Sequence, residues 1–248
     1  MNNAFFGELF GTMLLIIFGD GVVANVVLSK TKGQNSGWIV IATGWAMAVA
    51  VGVYASWPIS GAHSNPAVTI GLAVIGKFPW ANVVPYLIAQ FIGAFLGAVI
   101  VWVAYRRHFE ATESADLKLA VFCTGPAIRD YPANLITEII GTFTLVYGVL
   151  TMLFFVPSKT EPAVGNALGP WVVAVLVWAI GLSLGGPTGY AINPARDLGP
   201  RIAHALLPIP GKRDSDFAYG WIPVVGPIIG GILGALLYMA TFGAPAAH

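Results

Sequence analysis

Two stretches decide the fold of this chain: Ser60-Gly61-Ala62-His63-Ser64-Asn65-Pro66-Ala67-Val68-Thr69 and Gly189-Tyr190-Ala191-Ile192-Asn193-Pro194-Ala195-Arg196-Asp197. Proline is tolerated at the first position of a helix, where its missing N–H has no partner, and asparagine is favoured just before that position. Each stretch therefore predicts an irregular lead-in followed by a helix that begins at the proline. The helices that follow, about 66–76 and 194–207, are too short to cross a bilayer, which takes about 20 residues.

The rest of the sequence has the composition of a membrane protein. Of its 248 residues, 57% are hydrophobic and 9% are charged, whereas a soluble domain carries about 25% charged residues. A formal net charge of +1 without a basic run argues against nucleic acid as a partner. The single cysteine, Cys123, excludes an intramolecular disulfide.

Six apolar stretches are long enough to span a bilayer, and they lie at about 5–28, 38–57, 81–105, 134–156, 169–186 and 218–242. The first is not preceded by the basic residues of a cleavable signal, so it is interpreted as the first spanning helix. Each half of the chain therefore contains three spans and one short helix.

The two halves carry matching residues at matching places. Glu8-x-x-Gly11-Thr12 in the first span resembles Glu138-x-x-Gly141-Thr142 in the fourth, and each precedes its Asn-Pro-Ala by nearly the same distance. Because three spans per half is an odd number, the second half must enter the membrane from the opposite face. We predict an all-α membrane protein with six transmembrane helices and two half-helices in an inverted tandem repeat. A single channel domain covers 1–248, with repeat 1 at 4–105, a connecting loop at 106–132 and repeat 2 at 133–243.

Inversion brings the two half-helix N-termini together in mid-membrane, where each carries roughly half a positive charge that repels cations. The side-chain amides of Asn65 and Asn193 are then expected to donate hydrogen bonds to a passing oxygen. Irregular backbone is tolerated at this depth only where it is buried in protein or lines water. The carbonyl groups expected to line the pore are those of Gly61, Ala62, His63, Ser64, Gly189, Tyr190, Ala191 and Ile192. Such a lane of acceptors with two central donors suits hydroxyl groups and water.

On the residues of the two quoted stretches, and over nearly its whole length, the chain resembles the aquaporin family (major intrinsic proteins). The resemblance implies a homotetramer in the cell membrane, either an inner or a plasma membrane. It also implies one pore in each subunit, cytoplasmic termini and a narrow filter on the outer side. The loops that the resemblance places outside hold most of the lysines and arginines. The positive-inside rule alone would therefore favour the opposite orientation.

The chain looks most like the glycerol-conducting branch of that family, whose filter positions fall on Trp45, Gly181, Tyr190 and Arg196. In this interpretation Gly181 leaves open space and the two aromatic rings form an apolar corner. Arg196 donates to two adjacent hydroxyls from its planar fork. The branch also matches at Asp197, Arg201 and Pro223-Val224. The resemblance thus implies passage of glycerol and other small polyols with water as a co-permeant, and exclusion of ions and protons.

Two valines are expected to extend the apolar wall of the filter. Val49 lies four residues after Trp45, and Val177 lies four residues before Gly181. Residues four apart share one face of a helix. Both valines are therefore expected to line the pore.

One filter position leaves more than one transported solute compatible with the sequence. The glycerol branch often has phenylalanine where Tyr190 stands, and its hydroxyl either narrows and polarises the filter or points into the protein. A mainly water-selective channel therefore remains an alternative, as does a channel for urea, ammonia, hydrogen peroxide or metalloid hydroxides. A secondary transporter also has inverted repeats and broken helices, but only Asp197 is near the apex to bind a coupling ion. No catalytic constellation appears, so an enzyme is not expected.

Several ionisable residues have expected structural roles. Glu8 and Glu138 are expected to accept hydrogen bonds from the irregular lead-ins, with proton relay as the alternative. Asp20 is expected near the outer end of the first span, bonded to loop or helix backbone, with shaping of the outer mouth as the alternative. His63 is expected to support the backbone, and no metal or cofactor is expected because the other histidines show no ligand spacing with it.

Overall fold

The computed structural model describes residues 3–156 and 161–243. The predicted channel domain at 1–248 also includes 1–2, 157–160 and 244–248, which lie outside the described residues. Of these, 157–160 fall within the predicted second repeat. The described residues are helical or irregular, and none of them forms a strand.

The helices of the described residues are, in chain order, α1 (Asn3–Val27), α2 (Trp38–Ser60), α3 (Pro66–Val74), α4 (Val83–Ala111), α5 (Ala115–Phe122), α6 (Tyr131–Phe154), α7 (Pro162–Leu184), α8 (Pro194–Leu206), α9 (Phe217–Gly220) and α10 (Ile222–Phe242). Six of these segments are long and apolar enough to cross a membrane. In this count a short 3₁₀ turn is included with α4, and α9 is included with α10. The half-helices α3 and α8 begin at the two prolines. The all-α fold class with six spans and two half-helices is therefore confirmed.

Two boundaries differ most from the prediction. The third span was expected to end at residue 105, but α4 continues to Ala111, and Arg106 and Arg107 lie within it. Both arginines pair with Glu110 one turn further along, at 3.6 and 2.7 Å, so the charged end remains helical outside the apolar region. The fifth span begins at Pro162 rather than at residue 169, because proline is compatible with a first helical position.

The spanning helices pack as two similar groups. Helix α1 packs against α2 and α4, α6 packs against α7 and α10, and α2 contacts α7 across the two groups. Each half-helix crosses over: α3 packs against α10, and α8 packs against α4. The last span of each repeat therefore supports the half-helix of the other repeat.

The same close helix contact occurs once in each group. A Cβ atom added at Gly93 in α4 would lie 3.1 Å from the backbone nitrogen of Met13 in α1. A Cβ atom added at Gly230 in α10 would lie 2.9 Å from the backbone nitrogen of Phe143 in α6. Glycine is needed at both positions because the two helix backbones touch there.

The outer surface of the helices is apolar. Exposed side chains on different spans include Ile39, Val84 and Val103, each about 60% exposed. A soluble protein rarely exposes so much contiguous apolar surface. This surface supports placement of the six spans in the hydrocarbon region of a bilayer.

Candidate pore and selectivity filter

The N-termini of the two half-helices meet through a reciprocal pair of hydrogen bonds. The Nδ2 atom of Asn65 donates to the carbonyl of Ile192, and the Nδ2 atom of Asn193 donates to the carbonyl of Ser64, both at 2.8 Å. The prediction that both amides are free for a solute was incomplete, because one N–H of each amide is used in this pair. A primary amide has two N–H groups, so one donor of each asparagine remains after this pairing.

The same asparagines cap their own helices, as predicted. The Oδ1 atom of Asn65 accepts from the backbone nitrogen of Ala67 at 2.9 Å, and that of Asn193 accepts from Ala195 at 3.0 Å. Pro66 and Pro194 occupy the first helical positions. The caps orient both helix dipoles with their positive ends towards the meeting point.

Glu8 anchors the first lead-in. Its carboxylate accepts from the backbone nitrogens of His63 at 2.9 Å and Ser64 at 2.7 Å. The hydroxyl of Ser60 and the amide of Gln90 each donate to it at 2.7 Å. The side chain is fully buried, so these donors compensate the loss of hydration. The geometry favours the backbone-supporting role over proton relay.

Glu138 holds the second lead-in in the same way. It accepts from the backbone nitrogens of Ala191 at 3.0 Å and Ile192 at 2.9 Å, and from the hydroxyl of Thr188 at 2.6 Å. The two carboxylates therefore occupy equivalent places in the two repeats. This equivalence agrees with the matching sequence positions of Glu8 and Glu138.

These contacts set the direction of the lead-in carbonyls. The N–H and C=O groups of one trans peptide point in opposite directions, and the described residues contain no cis peptide. Because the N–H groups of His63 and Ser64 point to Glu8, the carbonyls of Ala62 and His63 point away from it. The carbonyls of Tyr190 and Ala191 point away from Glu138 for the same reason.

The backbone of both lead-ins is left-handed at alternating residues. Ala62 and Ser64 have φ values of 54° and 46°, and Tyr190 and Ile192 have values of 40° and 43°. Such values are uncommon for residues other than glycine, and Gly61 and Gly189 adopt them at the start of each lead-in. The hydrogen bonds to the two glutamates offset this strain.

The lead-ins face a cavity of about 190 Å³. Its polar wall contains residues 61–65 and 190–193, and the facing wall is formed largely by valine and leucine side chains. Val49 and Val177 are among them. Gly189 and Gly181 do not line the cavity. The cavity therefore has one hydrogen-bonding wall and one apolar wall.

The lining of this cavity also includes Trp45, Tyr190 and Arg196. The Arg196 guanidinium lies over the Trp45 ring, 4.0 Å from its centroid, and its Nη1 atom donates to the carbonyl of Phe122 at 3.3 Å. Among the described residues, none accepts a hydrogen bond from the Nε or Nη2 atoms of Arg196. These donors remain available for a solute in the cavity.

Gly181 acts differently from the prediction, which assigned it open pore space. A Cβ atom added there would lie 2.9 Å from the hydroxyl oxygen of Tyr190, and also 2.9 Å from Cζ of its ring. The Tyr190 ring therefore fills the place that a side chain at 181 would occupy. The phenol oxygen is buried and has no hydrogen-bond partner among residues 3–156 and 161–243, so the hydroxyl points into the protein. Trp38 fixes this arrangement by donating to the carbonyl of Gly181 at 2.9 Å and by packing edge-on against Tyr190.

Asp197 and Arg201 form a buried support behind the second motif. Asp197 accepts from the backbone nitrogen and hydroxyl of Thr124 at 2.8 and 2.7 Å and pairs with Arg201 at 2.7 Å. Arg201 also donates to the carbonyls of Thr124, Ser215 and Asp216. All five guanidinium N–H groups have acceptors, so the pair ties α8 to the loops that contain Thr124 and Ser215.

Lys212 stabilises the other end of α8. Its ammonium group donates to the carbonyls of His204, Ala205 and Leu207 at 2.6–2.8 Å. A cation at this end complements the negative end of the helix dipole, although burial lowers the pKa of Lys212 from its ordinary value. The half-helix is thus held at both ends.

Asp20 does not follow its expectation. It lies in α1, fully buried, and neither carboxylate oxygen accepts a hydrogen bond from any described residue, backbone included. Its Oδ1 atom lies 3.6 Å from Nη1 of Arg196. Only its rarity as an ionisable residue within a span pointed to a functional site. The contacts of Phe122, Thr124 and Trp38 had no signal in the sequence, because they depend on how α2 and the segment between α5 and α6 fold back against the cavity.

The described contacts of the His63 side chain are to other side chains rather than to the backbone that it was expected to support. Its Nδ1 atom lies 3.1 Å from the hydroxyl of Thr69, and its ring packs against Phe78 and Tyr86. In the part of the chain that the structure describes, no three histidine, cysteine or acidic side chains converge as metal ligands.

Six membrane spans and two half-helices that meet end to end around a lined cavity define a membrane channel protein of the aquaporin type. Residues 1–238 match the sequence profile of Major intrinsic protein, and the chain belongs to this family. The named relatives and a solved structure agree with that assignment.

One relative, from Thermotoga maritima, is named a probable glycerol uptake facilitator protein. It is 63% identical over 236 residues, which cover 95% of this chain and 98% of the relative. Another, the D/L-lactic acid transporter of Lactiplantibacillus plantarum, is 39% identical over 247 residues, covering 98% and 99%. The X-ray structure of the aquaglyceroporin from Plasmodium falciparum matches with a TM-score of 0.83 and 30% identity, covering 96% of each chain.

Proposed function

We propose that this chain is a passive channel for glycerol and other small polyols, with water as a co-permeant and with ions and protons excluded. The proposal rests mainly on the observation that the Tyr190 ring fills the space that a side chain at Gly181 would occupy. Because the ring occupies the space beside Gly181, the filter combines two aromatic rings with one arginine. A carbon backbone fits against the rings while its hydroxyls face Arg196. The relative named a probable glycerol uptake facilitator, 63% identical to this chain, supports the same cargo.

The polyol path continues inward along the two walls of the cavity. The carbonyls that point away from Glu8 and Glu138 accept hydrogen bonds from hydroxyls, and the free donors of Asn65 and Asn193 bind hydroxyl oxygens. Val49 and Val177 contact the carbon side of the solute. One polar and one apolar wall match a molecule whose hydroxyls lie along one edge.

Ion exclusion follows from the charges on this path. The two half-helix N-termini present their positive ends to the lumen, and Arg196 adds a formal positive charge, so cations meet a barrier. The carbonyl lane cannot replace a full hydration shell from one side only. Neutral solutes do not meet this barrier.

Stopped-flow light scattering on proteoliposomes tests the cargo. We expect a glycerol gradient to relax much faster than in empty vesicles, and water to pass as well. Fast water with glycerol at the rate of empty vesicles would make the chain a water channel. Urea, ammonia, hydrogen peroxide, metalloid hydroxides and undissociated lactic acid complete the solute panel, the last because one relative is named for it.

The Tyr190→Phe variant tests whether the phenol hydroxyl contributes to selectivity. Since the hydroxyl oxygen is buried beside Gly181, we expect the ratio of glycerol to water permeability to stay within about twofold of the wild-type ratio, well under the tenfold that 1.36 kcal/mol represents. Trp45→Phe serves as a matched change of an aromatic ring that does line the cavity, and it should alter the ratio more. A large change in Tyr190→Phe alone would place the hydroxyl in the lumen.

Passive transport separates a channel from a secondary transporter. A coupled transporter needs ion-binding carboxylates at its site, but Asp197 is already bonded to Thr124 and Arg201, and Asp20 pairs with Arg196. We expect glycerol to equilibrate without accumulation when a proton or sodium gradient is imposed. Uphill accumulation would favour the transporter.

The proposal also includes a homotetramer in the cell membrane with cytoplasmic termini. The family resemblance supports the tetramer and the cytoplasmic termini, and the apolar outer surface of the spans supports the membrane location. Native mass spectrometry of the purified protein gives the subunit number. Labelling of cysteines introduced at Gly125 and Lys77, in loops expected on opposite sides, gives the orientation in intact cells.

A further inference from the structure

Asp20 is a buried carboxylate with a single charged neighbour. It is fully buried in α1, and both of its oxygens lack a hydrogen-bond donor among the described residues. Its Oδ1 atom lies 3.6 Å from Nη1 of Arg196. An ionised carboxylate without hydrogen bonds is strongly disfavoured in a protein interior unless an opposite charge is close. Arg196 is therefore the group that accounts for a carboxylate at this place.

Arg196 likewise has Asp20 as its acidic neighbour. Asp197 is adjacent in sequence but directs its oxygens to Thr124 and Arg201. In the part of the chain that the structure describes, Asp20 is the carboxylate within 4.0 Å of the Arg196 guanidinium. The pair therefore links α1 to Arg196, the charged residue of the filter. Helix α1 itself contributes little to the polar wall of the cavity.

The preceding residue of α1 supports a second filter side chain. A Cβ atom added at Gly19 would overlap the ring of Trp45, so the absence of a side chain lets that ring lie against α1. The Trp45 ring in turn lies under the Arg196 guanidinium. Two consecutive residues, Gly19 and Asp20, therefore hold the two filter side chains that contact each other.

We propose that Asp20 is a positioning residue of the filter that also offsets the charge of Arg196, and that this offset excludes anions. The inference rests on the proposed channel function. Two helix N-termini and an uncompensated arginine would make the lumen electropositive along its narrow part. Such a field repels cations but raises the local concentration of anions. Asp20 leaves the donors of Arg196 in place and offsets the charge of that residue, while the two helix N-termini still repel cations.

The first test is the Asp20→Asn variant, which removes the charge and keeps the shape. Nitrate and potassium permeabilities are measured by reversal potential in planar bilayers and by vesicle swelling. We expect nitrate permeability to rise roughly tenfold or more, the range in which a focused field changes local ion concentration, while potassium stays excluded. Asp20→Ala should act in the same direction and serves if Asp20→Asn fails to fold. Nitrate permeability equal to that of the wild type in a folded, glycerol-conducting variant would overturn the proposal.

Further variants separate charge from structure. The double variant Asp20→Asn with Arg196→Gln removes both charges, so nitrate permeability should fall back towards the wild-type value. Asp20→Glu keeps the charge and should keep nitrate low. Thr12→Val changes another fully buried polar side chain of α1 without altering charge and should leave nitrate permeability unchanged. A nitrate leak in all of these variants would indicate a general loss of packing and would overturn the charge role.

The glycerol flux of the wild type, measured in the same vesicles, separates this inference from the proposed function. Absence of that flux would overturn the proposed cargo, whereas the nitrate comparison addresses Asp20 alone. Both measurements use the full chain.

Discussion

At the scale of single residues, Gly181 and Tyr190 depend on each other. The glycine permits the ring to lie against α7, and the ring then takes the position that a side chain at 181 would have. The width of the filter therefore depends on both residues together. Trp38 adds to it by bonding to the backbone of one partner and packing on the other.

A Gly181→Ala variant tests this dependence. The new methyl group overlaps the Tyr190 ring, and overpacking of about 1–3 kcal/mol is relieved by moving the ring towards the lumen. We expect glycerol permeability to fall roughly tenfold, which corresponds to 1.36 kcal/mol, with a smaller fall for water. Stopped-flow measurements on the same proteoliposomes give both rates.

The control combines Gly181→Ala with Tyr190→Ala, which removes the displaced ring. Glycerol permeability should recover relative to the single variant. If the double variant is as slow as Gly181→Ala, the ring is not the obstacle.

The roles of some of these residues could be predicted from the sequence, and the roles of others could not. Trp45 and Arg196 were implied as filter residues by the resemblance to the glycerol-conducting branch, and the structure places both at the cavity. The prediction of open space at Gly181 was wrong. The space beside this glycine depends on where the Tyr190 ring packs, which no local pattern specifies. Asp20 could be noticed as a charge within a span, but its partner could not be named without the fold.

At the scale of elements, the two lead-ins are irregular segments held by carboxylates. Glu8 and Glu138 each accept two backbone N–H groups and thereby keep left-handed residues in place. The half-helices and their caps could be predicted because Asn-Pro is a local signal. Helix α5 and the extension of α4 could not, since both lie in a polar segment where hydropathy carries little information.

Glu138→Gln is expected to weaken the second lead-in. An amide can accept with one oxygen only, and its NH₂ group would then face a backbone N–H that has no acceptor. We expect the free energy of unfolding to fall by about 1–3 kcal/mol, the cost of a buried polar group left without its hydrogen bond, seen as a lower midpoint of thermal unfolding in detergent. Since Glu138 serves the backbone rather than a proton path, the glycerol flux of the surviving folded protein should not acquire a dependence on a proton gradient.

Glu110→Gln provides the matched control, because Glu110 is exposed and pairs with surface arginines. Such a pair contributes at most about 1 kcal/mol, so the midpoint should change little. Equal midpoints for the two glutamine variants would contradict the anchoring role of Glu138.

At the scale of the whole molecule, the two repeats use one packing scheme twice. Gly93 and Gly230 bring backbones together at equivalent places, and each half-helix packs on the last span of the other repeat. The inverted repeat could be predicted from the paired motifs and the odd number of spans. The crossed packing of α3 and α8 could not, because apolar spans carry no sequence record of which neighbour they face.

Gly93→Ala and Gly230→Ala should destabilise the protein by similar amounts, about 1–3 kcal/mol each, because each methyl group meets backbone atoms that cannot move aside. Thermal unfolding of the purified protein measures both. Gly21→Ala is the control: a Cβ atom there meets nothing within 4 Å, and alanine is the better helix former. Destabilisation by Gly21→Ala as large as by the other two would contradict the backbone-contact argument.

The reciprocal bonds between Asn65 and Ile192 and between Asn193 and Ser64 have a consequence for biosynthesis. When the ribosome has delivered only the first three spans, neither the Asn65 amide nor the Ser64 carbonyl has its partner. Helix α3 also lacks α10, the last span to emerge. In the nascent chain Glu8 can already hold the first lead-in, but the N-terminus of α3 meets its partners only when the second half-helix and α10 have been made, so the conduction path is completed last.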